Sequence, residues 1–141
     1  MEKKLTFVLP IYNVEKYVEL LDLKPFLHSF TRELSLGQRM RCEIAASLLH
    51  SPRILFLDEP TLGLDVIARH ELWDAVRSLK GKTTIILTTH YMEEAEALSD
   101  KVAIMRTGRL LILETPEQIK KQTGAANLEQ AFLTVVKEER I

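Results

Sequence analysis

The sequence predicts an α/β fold built on a mostly parallel sheet flanked by helices. Two segments, residues 54–57 and 83–89, are rich in apolar and β-branched side chains and read as strands. Each is followed by a segment with apolar residues at helical spacing, and this order is typical of a right-handed parallel core. Two further apolar runs flank Thr107-Gly108 and predict a hairpin, which adds an antiparallel edge.

The helices before the first strand have clear apolar stripes. Residues 1–13 carry no readable pattern. A helix is predicted over residues 14–23, where Val14, Val18, Leu21 and Leu23 recur on one face. A second helix is predicted after Gly37, with an inner face made of Met40, Ile44, Ala45, Leu48 and Leu49.

The remaining elements follow in alternation. The unbroken apolar run 54–57 predicts a strand buried on both faces of a parallel sheet. Helices are predicted around residues 72–79 and 91–98, and the hairpin strands over 102–105 and 110–113. Asn127 and Gln130 have the spacing to cap a last helix. Its inner stripe is predicted to be Leu128, Ala131, Phe132, Val135 and Val136.

Composition excludes several classes of protein. The chain has 141 residues, 46% of them hydrophobic and 28% charged, which suits one globular domain with a core. A net charge of −1 without a basic block speaks against a nucleic-acid or anionic-lipid binder. The single cysteine, Cys42, excludes an internal disulfide and a cysteine-built zinc site; we expect it to pack inertly and a cytoplasmic location by default. No apolar run approaches the roughly 20 residues that span a bilayer, and we expect no signal peptide in residues 1–10.

Two carboxylates follow the first strand directly. Asp58 and Glu59 stand where ligands bind in open α/β sheets, at the carboxyl end of a strand. A strand-end aspartate can hold Mg²⁺ together with phosphate oxygens, and a neighbouring carboxylate can deprotonate an attacking water. The alternative is that both acids only begin a solvated loop. This pattern is common, so the pair alone does not decide between the two.

Further candidate residues lie on both sides of these acids. Ser35 and Gln38 have capping-box spacing, and the helix start that they cap could bind a phosphate, with Gly37 allowing close approach. An ordinary capped helix is the alternative. Asp65 precedes a helix and could simply be its N-cap.

One histidine ends a strand pattern. His90 follows the second strand, where a neutral imidazole could donate to a γ-phosphate. His28, His50 and His70 end no strand pattern, and we predict that they are surface or packing residues.

Four short motifs in this order resemble those of ABC ATPases. LSLGQ at residues 34–38, ILFLDEP at 54–60, GLD at 63–65 and TTH at 88–90 are similar to the signature motif, Walker B, D-loop and H-loop. LSLGQ departs from the commoner LSGGQ only at Leu36. The resemblance implies a partial P-loop NTPase domain. It divides the chain into a remnant of the helical subdomain (1–33), the carboxy-terminal half of the ATPase core (34–115) and carboxy-terminal helices (116–141).

The resemblance also implies roles for seven residues. Glu59 would be the general base, Asp58 would coordinate Mg²⁺, and His90 would sense the γ-phosphate. The signature residues would contact ATP held by the opposite subunit of a head-to-tail dimer, and Asp65 would cross the interface; the signature residues are Ser35, Gly37 and Gln38. The further partner would be a transmembrane permease at the inner face of the membrane. Residues 127–133 are similar to the tail of exporter-type subunits.

The Gly-rich loop that grips nucleotide phosphates in this family is not in the sequence. Only Gly81-Lys82-Thr83 resembles the end of GxxxxGK(S/T), and we interpret it as a turn between helix and strand. A Q-loop glutamine and an adenine-stacking aromatic are also missing. Because phosphate clamping supplies most of the catalysis, we expect the chain alone neither to bind ATP tightly nor to hydrolyse it. We also expect exposed apolar surface at the first strand, and poor solubility or partial disorder of the isolated chain.

The origin of the sequence and two rival functions stay open at this point. A gene fragment, a truncated gene and half of a split gene fit equally. The chain could be a non-catalytic half that lends Ser35 and Gly37 to another ATPase. Such a role needs none of Asp58, Glu59 and His90, and their presence argues against it. A DNA-repair or chromosome-organising ATPase shares the signature, but near-neutral charge and the lack of coiled-coil heptads favour a transporter.

Overall fold

A computed structural model describes residues 14–138. The expectations for residues 1–13, including the lack of a signal peptide, lie outside the described residues. The helices are α1 (Val14–Leu20), α2 (Leu36–Leu48), α3 (Val66–Ser78), α4 (Met92–Leu98), α5 (Pro116–Thr123) and α6 (Leu128–Glu138). The strands are β1 (Ile54–Asp58), β2 (Thr84–Thr88), β3 (Val102–Arg106) and β4 (Arg109–Glu114). Two short 3-10 helices, Lys24–Phe26 and Thr31–Glu33, lie between α1 and α2.

The described chain forms two compact units. The first contains residues 14–55 and 63–84, and the second contains residues 56–62 and 85–138. This division follows other boundaries than the three predicted domains, which stay a prediction. Within residues 14–138, no helix is both long and apolar enough to cross a bilayer.

The first unit is built on α1, α2 and α3. The predicted helix over residues 14–23 is three residues too long, because the backbone turns at Asp22, where φ is +50°. Leu21 and Leu23 are nevertheless buried, as their apolar character predicts. The Leu23 N–H donates to the carbonyl of Val18 at 2.9 Å, which folds the turn back against the helix.

The core of this unit lies between α2 and α3. Its most deeply buried side chains are aliphatic, and they include Ile44, Leu48, Leu72 and Leu79. Of the inner face predicted for α2, Met40 and Leu49 are only half-buried.

A buried charge also belongs to the first unit. The Arg41 guanidinium lies 3.2 Å from a carboxylate oxygen of Glu71 and 3.8 Å from one of Asp22, with its carbon 5.3 Å from the ring centre of Phe26. A buried charge is tolerated only when it is paired, and these contacts provide the pairing. They tie α2 to α3 and to the turn after α1.

The first two strands are neighbours in a two-stranded sheet. The Thr84 N–H donates to the carbonyl of Arg53 at 3.0 Å, and the Glu59 N–H donates to the carbonyl of Thr88 at 3.1 Å. On β1 the bonded residues run from Arg53 to Glu59, and on β2 their partners run in the same direction, from Thr84 to Thr88. The strands are therefore parallel, as predicted, and their carboxyl ends meet at one edge.

Only one face of β1 is covered. Leu55 and Leu57 are buried, whereas Ile54 is 50% exposed and Phe56 is 71% exposed. The prediction of a strand buried on both faces is therefore wrong for the chain as it stands. An unbroken apolar run does not show whether one face of the strand or both are covered by other elements. The expected exposed apolar surface at this strand is confirmed.

The second unit contains a hairpin covered by helices. β3 and β4 pair antiparallel with Ile104 opposite Ile112, and an irregularity in register follows Ile104. Thr107 and Gly108 both have positive φ, as a tight hairpin turn requires. The hairpin is confirmed, but among the described residues it forms its own two-stranded sheet rather than an edge of the β1–β2 sheet.

The last two helices close this unit. The Gln130 N–H donates to the Asn127 side chain at 2.9 Å, so the predicted cap of α6 is confirmed. The predicted inner stripe of α6 is also confirmed. Its Leu128 and Ala131 are fully buried with Ile104 and Ile119, and Phe132, Val135 and Val136 pack against this cluster.

Candidate functional site

The meeting point of β1 and β2 brings the two strand-end acids beside the end of β2. The Thr88 hydroxyl donates to Oδ1 of Asp58. The Glu59 N–H bonds to the same residue twice, to its carbonyl at 3.1 Å and to its hydroxyl at 3.2 Å. The Asp58 side chain is exposed and that of Glu59 is 34% exposed. Both acids are thus fixed to the neighbouring strand and remain open to solvent.

His90 completes this group. Its Nδ1 lies 2.6 Å from Oε2 of Glu59, although His90 is 54% exposed and 31 positions away in sequence. Its ring lies 4.1 Å from the ring of Tyr91, centre to centre. The structure therefore brings together three of the seven predicted site residues, Asp58, Glu59 and His90, within the second unit.

The backbone of Glu59 is unusual. Its φ is +48°, a left-handed conformation that non-glycine residues seldom adopt and that costs on the order of 1 kcal/mol. The Leu62 N–H donates to the Glu59 carbonyl at 3.0 Å, so the residue begins a tight turn. Such conformations cluster at functional sites, because the surrounding structure must hold them in place.

The proton on His90 limits what its ring can do. If Nδ1 carries the only ring proton and donates to Glu59, then Nε2 is an acceptor and cannot donate to a phosphate. The imidazolium donates from both nitrogens. The predicted role as a donor to a γ-phosphate therefore requires a protonated His90, or exchange of its bond to Glu59.

The side chains at the ends of β1 and β2 suit a magnesium ion that arrives with a nucleotide better than a metal ion held by the protein alone. Within residues 14–138, no group of three or more His, Cys, Asp or Glu side chains could hold a metal ion. Mg²⁺ often takes one or two carboxylates and fills its remaining positions with waters and substrate phosphates. Asp58 offers one exposed carboxylate with an oxygen already oriented by Thr88, which is the ligand that such a site needs.

The signature segment lies in the first unit, where it caps α2. The Gln38 N–H donates to Ser35 Oγ at 3.2 Å, and the Ser35 N–H donates to Gln38 Oε1 at 3.0 Å. The predicted capping box is therefore present in full. Contact of Ser35 and Gln38 with a phosphate stays a prediction.

Gly37 is buried for a reason that the sequence does not reveal. A Cβ at this position would lie 3.1 Å from the Cβ of Ala68, so the lack of a side chain lets α2 approach α3. Sequence reasoning gave Gly37 a different purpose, the close approach of a phosphate. Packing against Ala68 accounts for the glycine on its own, and phosphate contact by its backbone stays a prediction.

Asp65 caps the next helix. Its Oδ1 accepts from the Ala68 N–H at 2.8 Å at the start of α3. Directly after it, Val66 and Ile67 are highly exposed apolar side chains. The cap explains the aspartate structurally, and its place at a dimer interface stays a prediction.

The segment that resembled the end of a phosphate loop is a turn. α3 ends at Ser78 and β2 begins at Thr84, with Gly81 at φ +76° between them. Lys82 Nζ donates to the Ser78 carbonyl at 2.8 Å, and the Thr83 hydroxyl donates to the Pro52 carbonyl at 2.8 Å. Lys82 is thus bonded back to the end of α3, and Thr83 to the segment before β1. The segment is a turn between helix and strand, as the sequence predicted.

The other singled-out side chains are surface or packing residues, as predicted. His28 and His50 are exposed, and the His70 ring packs edge-on to Trp73 at 4.8 Å. Burial raises the pKa of the half-buried Cys42 thiol, which fits the inert packing role predicted for it.

Sequence reasoning missed Thr88. The residue was assigned to a β-branched strand and to the TTH motif without a role for its side chain, yet its hydroxyl and carbonyl hold both acids. The available signal was a hydroxyl residue at the last position of β2, beside a strand that ends in two acids.

Comparison with known proteins places the chain among ATP-binding components of transporters. A family profile described as "ABC transporter" matches residues 8–62. The "Daunorubicin resistance ATP-binding protein DrrA3" of Streptomyces coeruleorubidus is 42% identical over 118 residues, which are 83% of this chain and 37% of that protein. The "Probable multidrug ABC transporter ATP-binding protein YbhF" of Escherichia coli K12 is 37% identical over 130 residues, 88% of this chain and 22% of that protein.

Solved structures agree. One titled "Structure of ATP binding subunit of ABC transporter" superposes with a TM-score of 0.70 and 27% identity, over 92% of this chain and 57% of that one. An ATP-binding cassette of an ABC transporter superposes with a TM-score of 0.73 and 25% identity, over 86% of this chain and 49% of that one. The chain thus spans only part of the length of each protein that it resembles.

Proposed function

Since this chain belongs to the family of ABC transporter ATP-binding domains, we propose that it forms the carboxy-terminal half, which carries the general base, of an ATP-hydrolysing subunit in an exporter-type ABC transporter. The observation that carries the proposal is the contact between Glu59 and His90 beside Asp58, at the carboxyl edge of two parallel strands. The names of the relatives, which refer to daunorubicin resistance and to multidrug transport, support the exporter type.

In the reaction, ATP and water give ADP and phosphate. Glu59 accepts a proton from the attacking water, and His90 holds the Glu59 carboxylate in place at 2.6 Å. In its protonated form His90 also donates from Nε2 to the γ-phosphate. Asp58 would supply a carboxylate to Mg²⁺, and the ion would neutralise charge on the phosphate oxygens.

The first unit would serve a second nucleotide. In the proposed head-to-tail dimer, the start of α2 at Ser35, Gly37 and Gln38 faces the γ-phosphate of ATP held by the other subunit. Asp65 lies at the same interface. A transmembrane permease is the further partner, so the subunit works at the cytoplasmic face of the membrane.

The phosphate-gripping loop has to come from residues outside this sequence. The turn at Gly81 does not replace it, because Lys82 is bonded to the Ser78 carbonyl and Thr83 to the Pro52 carbonyl. We therefore expect hydrolysis only when the chain is joined to an amino-terminal half with GxxxxGK(S/T); we call that product the joined protein.

ATP turnover tests the proposal. We expect none from the chain alone, turnover from the joined protein, and loss of that turnover in Glu59→Gln by about 100-fold or more. Glu93→Gln, an exposed acid on α4, is the matched control and should leave turnover unchanged. Undiminished turnover in Glu59→Gln would contradict the assignment of the base. Turnover by the chain alone would contradict the dependence on a phosphate loop.

A further inference from the structure

We propose that Thr88 is a positioning residue of this site, whose hydroxyl sets the Asp58 carboxylate for the metal. The inference rests on the proposed function and extends it to a side chain that touches neither ATP nor water in the reaction. It is carried by the pair of bonds that one hydroxyl makes to two consecutive acids.

A threonine hydroxyl has one proton to donate and two lone pairs to accept with. The Thr88 hydroxyl donates its proton to Oδ1 of Asp58 and accepts the Glu59 N–H at 3.2 Å. The donated bond restricts the rotation of the carboxylate and leaves its second oxygen outside this bond. A hydrogen bond to a metal-ligating group commonly orients it, and its loss costs about 10- to 100-fold in metal affinity or activity.

The same residue also holds the base. Glu59 has φ +48°, and its N–H is shared between the carbonyl of Thr88 at 3.1 Å and the hydroxyl. The Glu59 side chain contacts His90, which follows Thr88 by two positions. Thr88 therefore ties the metal ligand and the base to the strand that carries His90.

The competing explanation is that Thr88 is an ordinary surface threonine. The strand β2 contains another exposed threonine that serves for comparison. Thr84 lies four residues earlier on the same face of β2 and is exposed as well, yet among residues 14–138 its side chain has no hydrogen-bond partner in the structure. Thr89 uses its hydroxyl locally, to accept the Tyr91 N–H at 3.0 Å. Only Thr88 of these three contacts the acids.

The test measures metal binding apart from turnover. Mn²⁺ binding is followed by electron paramagnetic resonance in the joined protein with ATP, for Thr88→Val, Thr88→Ser and the matched control Thr84→Val. We expect Thr88→Val to weaken Mn²⁺ binding at least tenfold. The concentration of metal for half-maximal hydrolysis should rise in proportion, with a smaller fall in turnover at saturating metal. Thr88→Ser should stay within about twofold of the parent, and Thr84→Val should match it.

Three results would overturn the proposal. The first is a Thr88→Val variant that binds Mn²⁺ as tightly as Thr84→Val does. The second is a Thr88→Ser variant that loses as much Mn²⁺ affinity as Thr88→Val. The third is a parent protein without ATP-dependent Mn²⁺ binding. Thermal unfolding checks that each variant is folded, and Thr88→Ala replaces Thr88→Val if that variant is not. Failure of the proposed function looks different, because turnover would then survive Glu59→Gln while the order of Mn²⁺ affinities stayed as expected.

Discussion

His90 Nδ1 and Glu59 Oε2 lie 2.6 Å apart, across the carboxyl ends of two parallel strands that are separated by a whole helix in sequence. The contact joins the His90 imidazole, which can carry a proton, to the Glu59 carboxylate, which can accept one. The imidazole can donate to Glu59 from only one nitrogen. Its other nitrogen donates to a bound group when the ring is protonated, and accepts when the ring is neutral. In the proposed function, this second nitrogen is the one that would donate to a γ-phosphate.

Replacing His90 should separate catalysis from binding. In the joined protein we expect His90→Ala to lower ATP turnover about 100-fold, because Glu59 loses the group that orients it. The affinity for ATP should fall much less than turnover, since the loop that grips the phosphates lies elsewhere and His90 supplies at most one bond to the γ-phosphate. Turnover and nucleotide binding are measured side by side. His50→Ala, at an exposed histidine remote in sequence from these acids, is the control. Equal losses of affinity and turnover would contradict a catalytic role.

Asp65 has a structural and a proposed interfacial role, and two substitutions can distinguish them. Asp65→Ala removes the acceptor of the Ala68 N–H and should destabilise the chain by about 1 kcal/mol. Asp65→Asn keeps a good N-cap and should leave the melting temperature nearly unchanged. If Asp65 crosses the dimer interface as a charge, Asp65→Asn should still lower turnover of the joined protein. Full turnover in Asp65→Asn would leave the residue a helix cap alone.

The sequence predicts the local part of this architecture well. Capping boxes such as Ser35–Gln38 and the hairpin turn at Thr107-Gly108 depend on residues within a few positions of each other. The meeting of Asp58, Glu59 and His90 is also predictable, since the carboxyl ends of neighbouring parallel strands share an edge.

What sequence reasoning misses depends on contacts between distant residues. The bonds of Thr88 to Asp58 and Glu59 require the register of β1 against β2, which no local pattern fixes. The packing of Gly37 on Ala68 requires the distance between two helices. The exposure of Phe56 requires knowledge of which strand face has a neighbour.

The close approach of α2 and α3 at Gly37 leads to a prediction about the free energy of unfolding. Gly37→Val should destabilise the chain by about 1–3 kcal/mol in urea unfolding, because a Cβ would lie 3.1 Å from that of Ala68 before the two methyl groups are placed. Adding Ala68→Gly should recover part of the loss. Leu36→Val, at the exposed preceding position, is the control and should change stability by less than about 0.5 kcal/mol. Strict additivity of the Gly37 and Ala68 substitutions would contradict the contact.

The pair of Lys120 and Glu96 joins α5 to α4 and makes a prediction about pH. The hydrogen bond from Lys120 to Glu96 raises the pKa of the lysine above its ordinary 10.5, against a smaller opposing effect of burial. A raised lysine pKa stabilises the fold fully below the unfolded pKa, and the contribution is lost as pH rises through the folded pKa. We therefore expect Glu96→Gln to melt below the parent at pH 8 and to approach it above about pH 11. Glu93→Gln on the same helix should follow the parent throughout, and a constant difference for Glu96→Gln up to the highest pH would refute the ion pair.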